Sequence, residues 1–249
     1  MPKNRASPVP GLAGRACKLG GMGARQHLVI DGDDTLWENN IFFEDAAEAF
    51  IDFLDHSTLG RDQVRAKLEE VERLNVASHG YGSAAFGRNL QEAYHRLAER
   101  QVLPEDLDHL MSLARQVMSQ PMQLRPAVRE TLEDLGGRHD LTLFTKGEHD
   151  EQVLKVERSG LGELFDRVIV TPEKDVAAYT GLVAEHGFDA GATWMIGNSP
   201  RSDINPALAA GLGAVFIPHP RTWSLELTDI TACDRLLVLD GFARLLDHF

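Results

Sequence analysis

The chain has 249 residues, 43% of them hydrophobic, and carries 25 Lys and Arg against 38 Asp and Glu, a formal charge of −13. The length supports one large domain or two modest ones. The acidic balance disfavours a nonspecific nucleic-acid binder, and no apolar run is long enough to span a bilayer, so neither nucleic acid nor membrane is expected as a partner. Cys17 and Cys233 are the only cysteines; they give no metal-ligand spacing and no disulfide framework, which fits a reducing, cytoplasmic setting.

Residues 1–24 are rich in Pro, Gly, Ala and basic residues and show no apolar periodicity. They read as a mobile tail, and they hold no apolar core of the kind a signal peptide needs. The run Leu28-Val29-Ile30 then predicts a buried strand that ends abruptly in Asp31-Gly32-Asp33-Asp34-Thr35. Two readings stand at this point. The acidic stretch is good turn composition. Clustered carboxylates at the end of a buried strand are also costly unless they meet a cation or do chemistry.

From Glu44 to Pro121 the pattern is helical. Ala47, Phe50, Ile51 and Leu54 predict a helix over 44–56, and Val64, Leu68, Val71 and Leu74 one over 60–78. After a break at His79-Gly80-Tyr81-Gly82, Phe86, Leu90, Tyr94 and Leu97 predict a third over 84–101. Pro104 opens a fourth that stops before Pro121. Four helices with short links make a bundle.

Beyond Pro126 helices alternate with short apolar strands, the latter at 141–145, 168–171, 193–197 and 214–217, with a further strand at 236–238 and a last helix over 240–247. This alternation argues for an α/β fold with a parallel sheet covered on both faces. The first strand belongs to that sheet, so the bundle is an insertion. The expected division is a tail over 1–24, a core over 25–40 and 122–249, and a helical cap over 41–121. Ligands of open parallel sheets bind beyond the carboxyl ends of the strands. The residues there are Asp31, Asp33 and Thr35; Thr145 and Lys146; Glu173, Lys174 and Asp175; and Gly197 to Asp203.

These residues carry a resemblance. The sequence resembles the haloacid dehalogenase superfamily and, within it, the magnesium-dependent phosphatases with an all-helical cap. Asp31-Gly32-Asp33-Asp34-Thr35-Leu36 matches the first motif, Thr145 the second, Lys174 the third, and the acidic loop Gly197 to Asp203 the fourth. The fourth motif often begins Gly-Asp, whereas this chain has Gly197-Asn198. The resemblance implies a Rossmann-like core with an inserted cap, and hydrolysis of a small phosphorylated metabolite by a monomer or homodimer. It implies Mg2+ held by Asp31, the backbone carbonyl of Asp33, Asp203 and Asn198. Asp31 is then the nucleophile, Asp33 the acid and base, and Thr145 and Lys174 the groups that meet the phosphoryl charge.

Substrate contacts are expected from the cap and its hinge. Trp37, Asn39, Asn40 and Phe43 are candidates near the hinge, and His79, Tyr81, Arg88 and Asn89 at the break between cap helices. Lys146 is either a second phosphate contact or a solvated strand end. His219 and Trp223 lie in a late loop that reaches the same edge. Three alternatives stay open: a dehalogenase, which has no need of Asp33 as acid and base; a phosphomutase, which differs in the phosphoryl acceptor; and a binding protein that kept the fold.

Overall fold

The computed structural model describes residues 25–249, and the expected tail at 1–24 lies outside them. The secondary structure runs β1 (His27–Ile30), α1 (Asn40–Leu54), α2 (Arg61–His79), α3 (Ser83–Leu97), α4 (Pro104–Ser119), α5 (Val128–Gly136), β2 (Asp140–Lys146), α6 (His149–Ser159), β3 (Arg167–Thr171), α7 (Val176–His186), β4 (Thr193–Gly197), α8 (Asn205–Ala209), β5 (Gly213–Phe216) and β6 (Leu236–Val238). The six strands form one sheet in the order β3-β2-β1-β4-β5-β6, with every pair parallel.

β1 is central, and its three apolar residues are fully buried because both faces of the sheet are covered. Leu28 and Ile30 pack with Leu132 of α5 and Leu245 near the end of the chain. Val29, on the other face, packs with Tyr179 and Leu182 of α7. The chain runs β1 to β2 to β3 in one direction and β4 to β5 to β6 in the other. The order therefore reverses between β1 and β4, the place where such sheets open a crevice at their carboxyl edge.

The four inserted helices hold their own apolar cluster, built on Phe50, Leu68, Phe86, Leu90, Tyr94 and Leu110. Pro104 at the start of α4 lacks only an N–H that the first turn cannot use, and Asp106 accepts the Leu103 N–H at 2.9 Å. The two passages between bundle and sheet run side by side: the Glu38 N–H donates to the Gln123 carbonyl and the Arg125 N–H to the Leu36 carbonyl, both at 2.9 Å.

Two elements depart from expectation. Where the alternation calls for a helix after β4, the chain forms a wide turn, Pro200–Ile204, followed by the short α8. The N–H groups of Asp203 and Ile204 both converge on the Ser199 carbonyl, at 2.9 and 3.1 Å, which opens the turn. The last helix is a tight 3₁₀ segment, Phe242–Asp247. Among the described residues no helix is long and apolar enough to cross a membrane.

Candidate active site

The acidic stretch after β1 is a turn, and its three aspartates border a cavity. Asp34 takes a left-handed backbone conformation, φ 59°, which an aspartate tolerates better than most side chains. Its carboxylate Oδ1 accepts the N–H groups of Asn39 and Asn40, at 2.9 and 3.0 Å, and so holds the start of α1. Asp31, at the very end of the buried strand, is 7% exposed.

Around Asp31 three strand ends converge. The Lys174 ammonium, from the loop after β3, donates to Asp31 Oδ1 at 2.6 Å and to Asp203 Oδ1 at 2.8 Å. Asp203 comes from the wide turn after β4, where its Oδ2 accepts the Ser199 N–H at 2.9 Å. Gly197 makes room for this: a Cβ there would lie 2.2 Å from Asp203 Oδ2. Thr35 donates to Asp31 Oδ2 at 3.0 Å, and Asn198 Oδ1 is 3.3 Å from the same hydroxyl. Burial pushes the Asp31 carboxyl up to about 7, and the Asp203 charge adds to that push against the pull of Lys174. Burial opposes the Lys174 charge, yet the two carboxylates outweigh it and raise the ammonium above its ordinary value.

Two buried carboxylates on one ammonium leave a net negative charge, and a divalent cation would relieve it. The donors at hand are hard oxygens: the Asp31 and Asp203 carboxylates, with the Asn198 amide oxygen beside the Thr35 hydroxyl that bonds Asp31. Such a set suits magnesium. Asn198 contributes an oxygen but no charge. A second group, Asp34, Glu38 and His219, brings one possible ligand atom each within 4.8 Å of one another. Its atoms are already engaged, since His219 Nε2 meets Glu38 at 3.1 Å and Nδ1 accepts the Arg221 N–H at 3.3 Å.

Asp33 does not share the ammonium of Lys174. Its carboxylate accepts Lys155 Nζ at 2.7 and 3.0 Å, Gln152 Nε2 at 3.0 Å and the Trp37 indole N–H at 2.7 Å. Thr145, 1% exposed, donates to Gln152 Oε1 at 2.8 Å. These residues border one cavity of about 520 Å³ between sheet edge and bundle, lined by Asp31, Asp33, Thr145, Lys146, Lys174, Asn198 and Asp203 below, and by Asn40, Phe43, Tyr81 and Asn89 at the hinge and in the bundle.

Three of the expected substrate contacts do not line the cavity. Trp37 is 1% exposed and packed in the core beneath the sheet edge, where its indole N–H holds Asp33. His79 and Arg88 are exposed and do not line the cavity. Arg88 lies on the outer side of α3, whose inner side carries Ala85, Phe86, Asn89 and Leu90. Lys146 is no solvated strand end: it bonds Glu226 at 2.7 Å and Ser202 at 2.8 Å, and lies 4.3 Å from the Tyr81 ring centre. His219, 8% exposed, sits off the cavity, whereas Trp223 lines it.

The bundle is fastened over this edge. Tyr81 donates to Glu173 at 2.7 Å, the Ser83 N–H to Glu151 at 2.9 Å, and Arg221 to Glu44 at 2.7 Å. Gly82, φ 97°, permits the Glu151 contact, because a Cβ there would stand 2.8 Å from its carboxylate.

No protein-family model matches the sequence, and no curated protein is similar to it. Solved structures are. A haloacid dehalogenase-like family hydrolase from Xanthomonas campestris superposes with a TM-score of 0.74 at 28% identity, covering 89% of this chain and 93% of that one. The fold is that of the haloacid dehalogenase-like hydrolases. A 2-haloacid dehalogenase from Pseudomonas syringae pv. Tomato (TM-score 0.59, 22% identity, 90% of this chain and 97% of that one) shares it. So does a predicted phosphoglycolate phosphatase from Haemophilus somnus (TM-score 0.60, 17% identity, 91% and 99%). The haloacid dehalogenase-like fold thus spans different chemistries among these neighbours, and the choice falls to the residues.

Sequence reading missed Gln152, Lys155, Glu72 and Glu226. The first two left a signal: they lie three apart on α6, on the side that also buries Val156 and Ser159. Polar residues on the buried side of an amphipathic helix need partners. Glu226 had none, because it comes from a loop whose path no periodicity sets.

Proposed function

We propose that this chain is a magnesium-dependent phosphatase that hydrolyses a small phosphate monoester through an aspartyl phosphate on Asp31. The observation that carries the reading is the Asp31–Lys174–Asp203 arrangement at the base of the cavity, with Asn198 beside it. When bound, magnesium would screen the repulsion between an anionic nucleophile and an anionic ester and orient the phosphoryl group.

Asp31 is held for attack by Lys174 on one oxygen and Thr35 on the other. Its carboxylate forms the bond to phosphorus as the bond to the leaving oxygen breaks. Lys174 neutralises charge as it grows there, and Thr145 stands at the same edge. Asp33, fixed by Lys155, Gln152 and Trp37, is the group that, once protonated, hands its proton to the leaving alcohol and regains one from the water that cleaves the intermediate. The bundle stands over that cavity and would shield the reacting groups from bulk water. A dehalogenase attacks carbon and has no use for Asp33 in this role, nor for a cation site.

The test is a panel of phosphate esters assayed with magnesium, with and without chelator. Turnover that disappears with chelator supports the reading. Chloride release from 2-chloropropionate that ignores chelator would replace it with the dehalogenase.

A further inference from the structure

The wall of the cavity facing the sheet edge has a different chemistry from its base. The charged residues lining it from the bundle are Glu44, Glu69, Glu72 and Arg65. Glu44 is taken by Arg221 at 2.7 Å and Arg65 by Glu48 at 2.5 Å. Glu72 is different. It is 8% exposed on α2, and its Oε2 accepts only the Trp223 indole N–H, at 3.3 Å. Its Oε1 has no hydrogen-bond partner among the described residues. Burial pushes this carboxyl up to about 7, with the Trp223 bond acting against the push. Glu72 lines the cavity, so a ligand there can reach it. Around it the wall is apolar, with Phe43 and Phe86 edge to face at 5.2 Å and Leu68 and Val76 alongside.

We propose that the substrate's leaving group is a short alcohol carrying a protonated amine, with Glu72 as its counter-ion and the Phe43–Phe86–Leu68 surface against its hydrocarbon. This rests on the phosphatase reading for its phosphate end. A second anionic group would meet Glu72 and Glu69 with no unpaired cation on that wall, a desolvated like-charge contact. A purely apolar group would seal Glu72 away from water without a partner, which costs the full desolvation of the carboxyl. An ammonium brings both the charge and the donors, and a charge-assisted hydrogen bond in a buried site is among the stronger polar contacts.

Three esters of matched length separate these cases: 2-aminoethyl, propyl and carboxymethyl phosphate, assayed with magnesium at pH 8. The expected order of kcat/KM is aminoethyl above propyl above carboxymethyl, the first step being about tenfold. Glu72→Gln keeps an acceptor for the Trp223 indole, and it should bring the aminoethyl-to-propyl ratio close to one. Binding of 2-aminoethanol and 1-propanol, read by tryptophan fluorescence in wild type and variant, gives the same comparison without chemistry. Wild type that prefers propyl or carboxymethyl phosphate overturns the proposal, as does wild type that binds the two alcohols equally. A folded Glu72→Gln protein that retains the preference overturns it too. If no ester is hydrolysed yet the amino alcohol binds in a Glu72-dependent way, the phosphatase reading fails and the assignment of this wall stands.

Discussion

Two regions of the cavity bury carboxylates, and they do so on opposite terms. At the sheet edge Asp31 and Asp203 share the Lys174 ammonium, at 2.6 and 2.8 Å. On the bundle wall Glu72 meets an indole N–H at 3.3 Å. A charge taken out of water needs a partner of opposite sign or a proton. The sheet edge supplies the partner from the protein. The cation on the wall, Arg65, is paired with Glu48 and makes no bond to Glu72, so a closer charge is left for a ligand. The first arrangement suits reaction and the second suits recognition.

The largest effect that tests the reactive half of this contrast is Asp31→Asn. It keeps the shape and the Thr35 contact but removes the nucleophile. Turnover of para-nitrophenyl phosphate at saturating magnesium should fall more than about a thousandfold. A variant that turns over at the wild-type rate would place the nucleophile elsewhere.

Lys174→Met comes next. It leaves two buried carboxylates side by side without their cation. Urea unfolding without magnesium should show a loss of about 3–5 kcal/mol, and magnesium should restore part of it by taking over the missing charge. If magnesium stabilises the variant no more than the wild type, Asp31 and Asp203 do not share an ion.

Lys155→Met addresses the third carboxylate, Asp33, which has a cation of its own at 2.7 Å. Without it Asp33 keeps the Gln152 and Trp37 bonds but loses its firmest one. Because misplacement of a reacting group by about 1 Å costs on the order of a hundredfold, kcat should fall by about that much with KM little changed. A change confined to KM would make Lys155 a substrate contact instead.

Much of the sheet edge was legible from sequence. The run Leu28-Val29-Ile30 into Asp31 states a buried strand that delivers charge, and Lys174 and Asp203 follow later strands closely enough for the parallel topology to gather them. Strand order within the sheet was not legible, since each strand is equally apolar. On the wall sequence pattern misled. Arg88 and His79 look like substrate contacts by type, but helical phase turns Arg88 outward and His79 ends α2 in solvent. Trp37, adjacent to the motif, looked like a pocket aromatic and is instead the support of Asp33. Glu72 was hidden for the opposite reason. It follows Val71 in a helix dense with charge, and only the position of Trp223, a distant loop residue, shows that it is enclosed.

The last effect concerns Glu72 itself and separates the two regions by pH. Its carboxyl stands at about 7 in the folded protein, raised from 4.5 by burial, with the Trp223 bond and then Glu69 and Arg65 as the lesser influences. Between those values the native state binds a proton that the unfolded chain has released. The stability this group contributes is therefore whole below its unfolded value and is lost as pH rises through 7. Glu72→Gln cannot lose a proton. Its stability relative to wild type, from urea unfolding at pH 5, 6, 7 and 8 in the absence of ligand, should start near zero and climb in the variant's favour, levelling off above pH 7.5 or so. Asp31 and Asp34 add slopes of the same sign in both proteins and cancel in the difference. An amine ligand should then reverse the order at pH 8, because it binds the ionised wild type and not the glutamine. A flat difference curve would mean that Glu72 is solvated, and the contrast between the two regions would disappear with it.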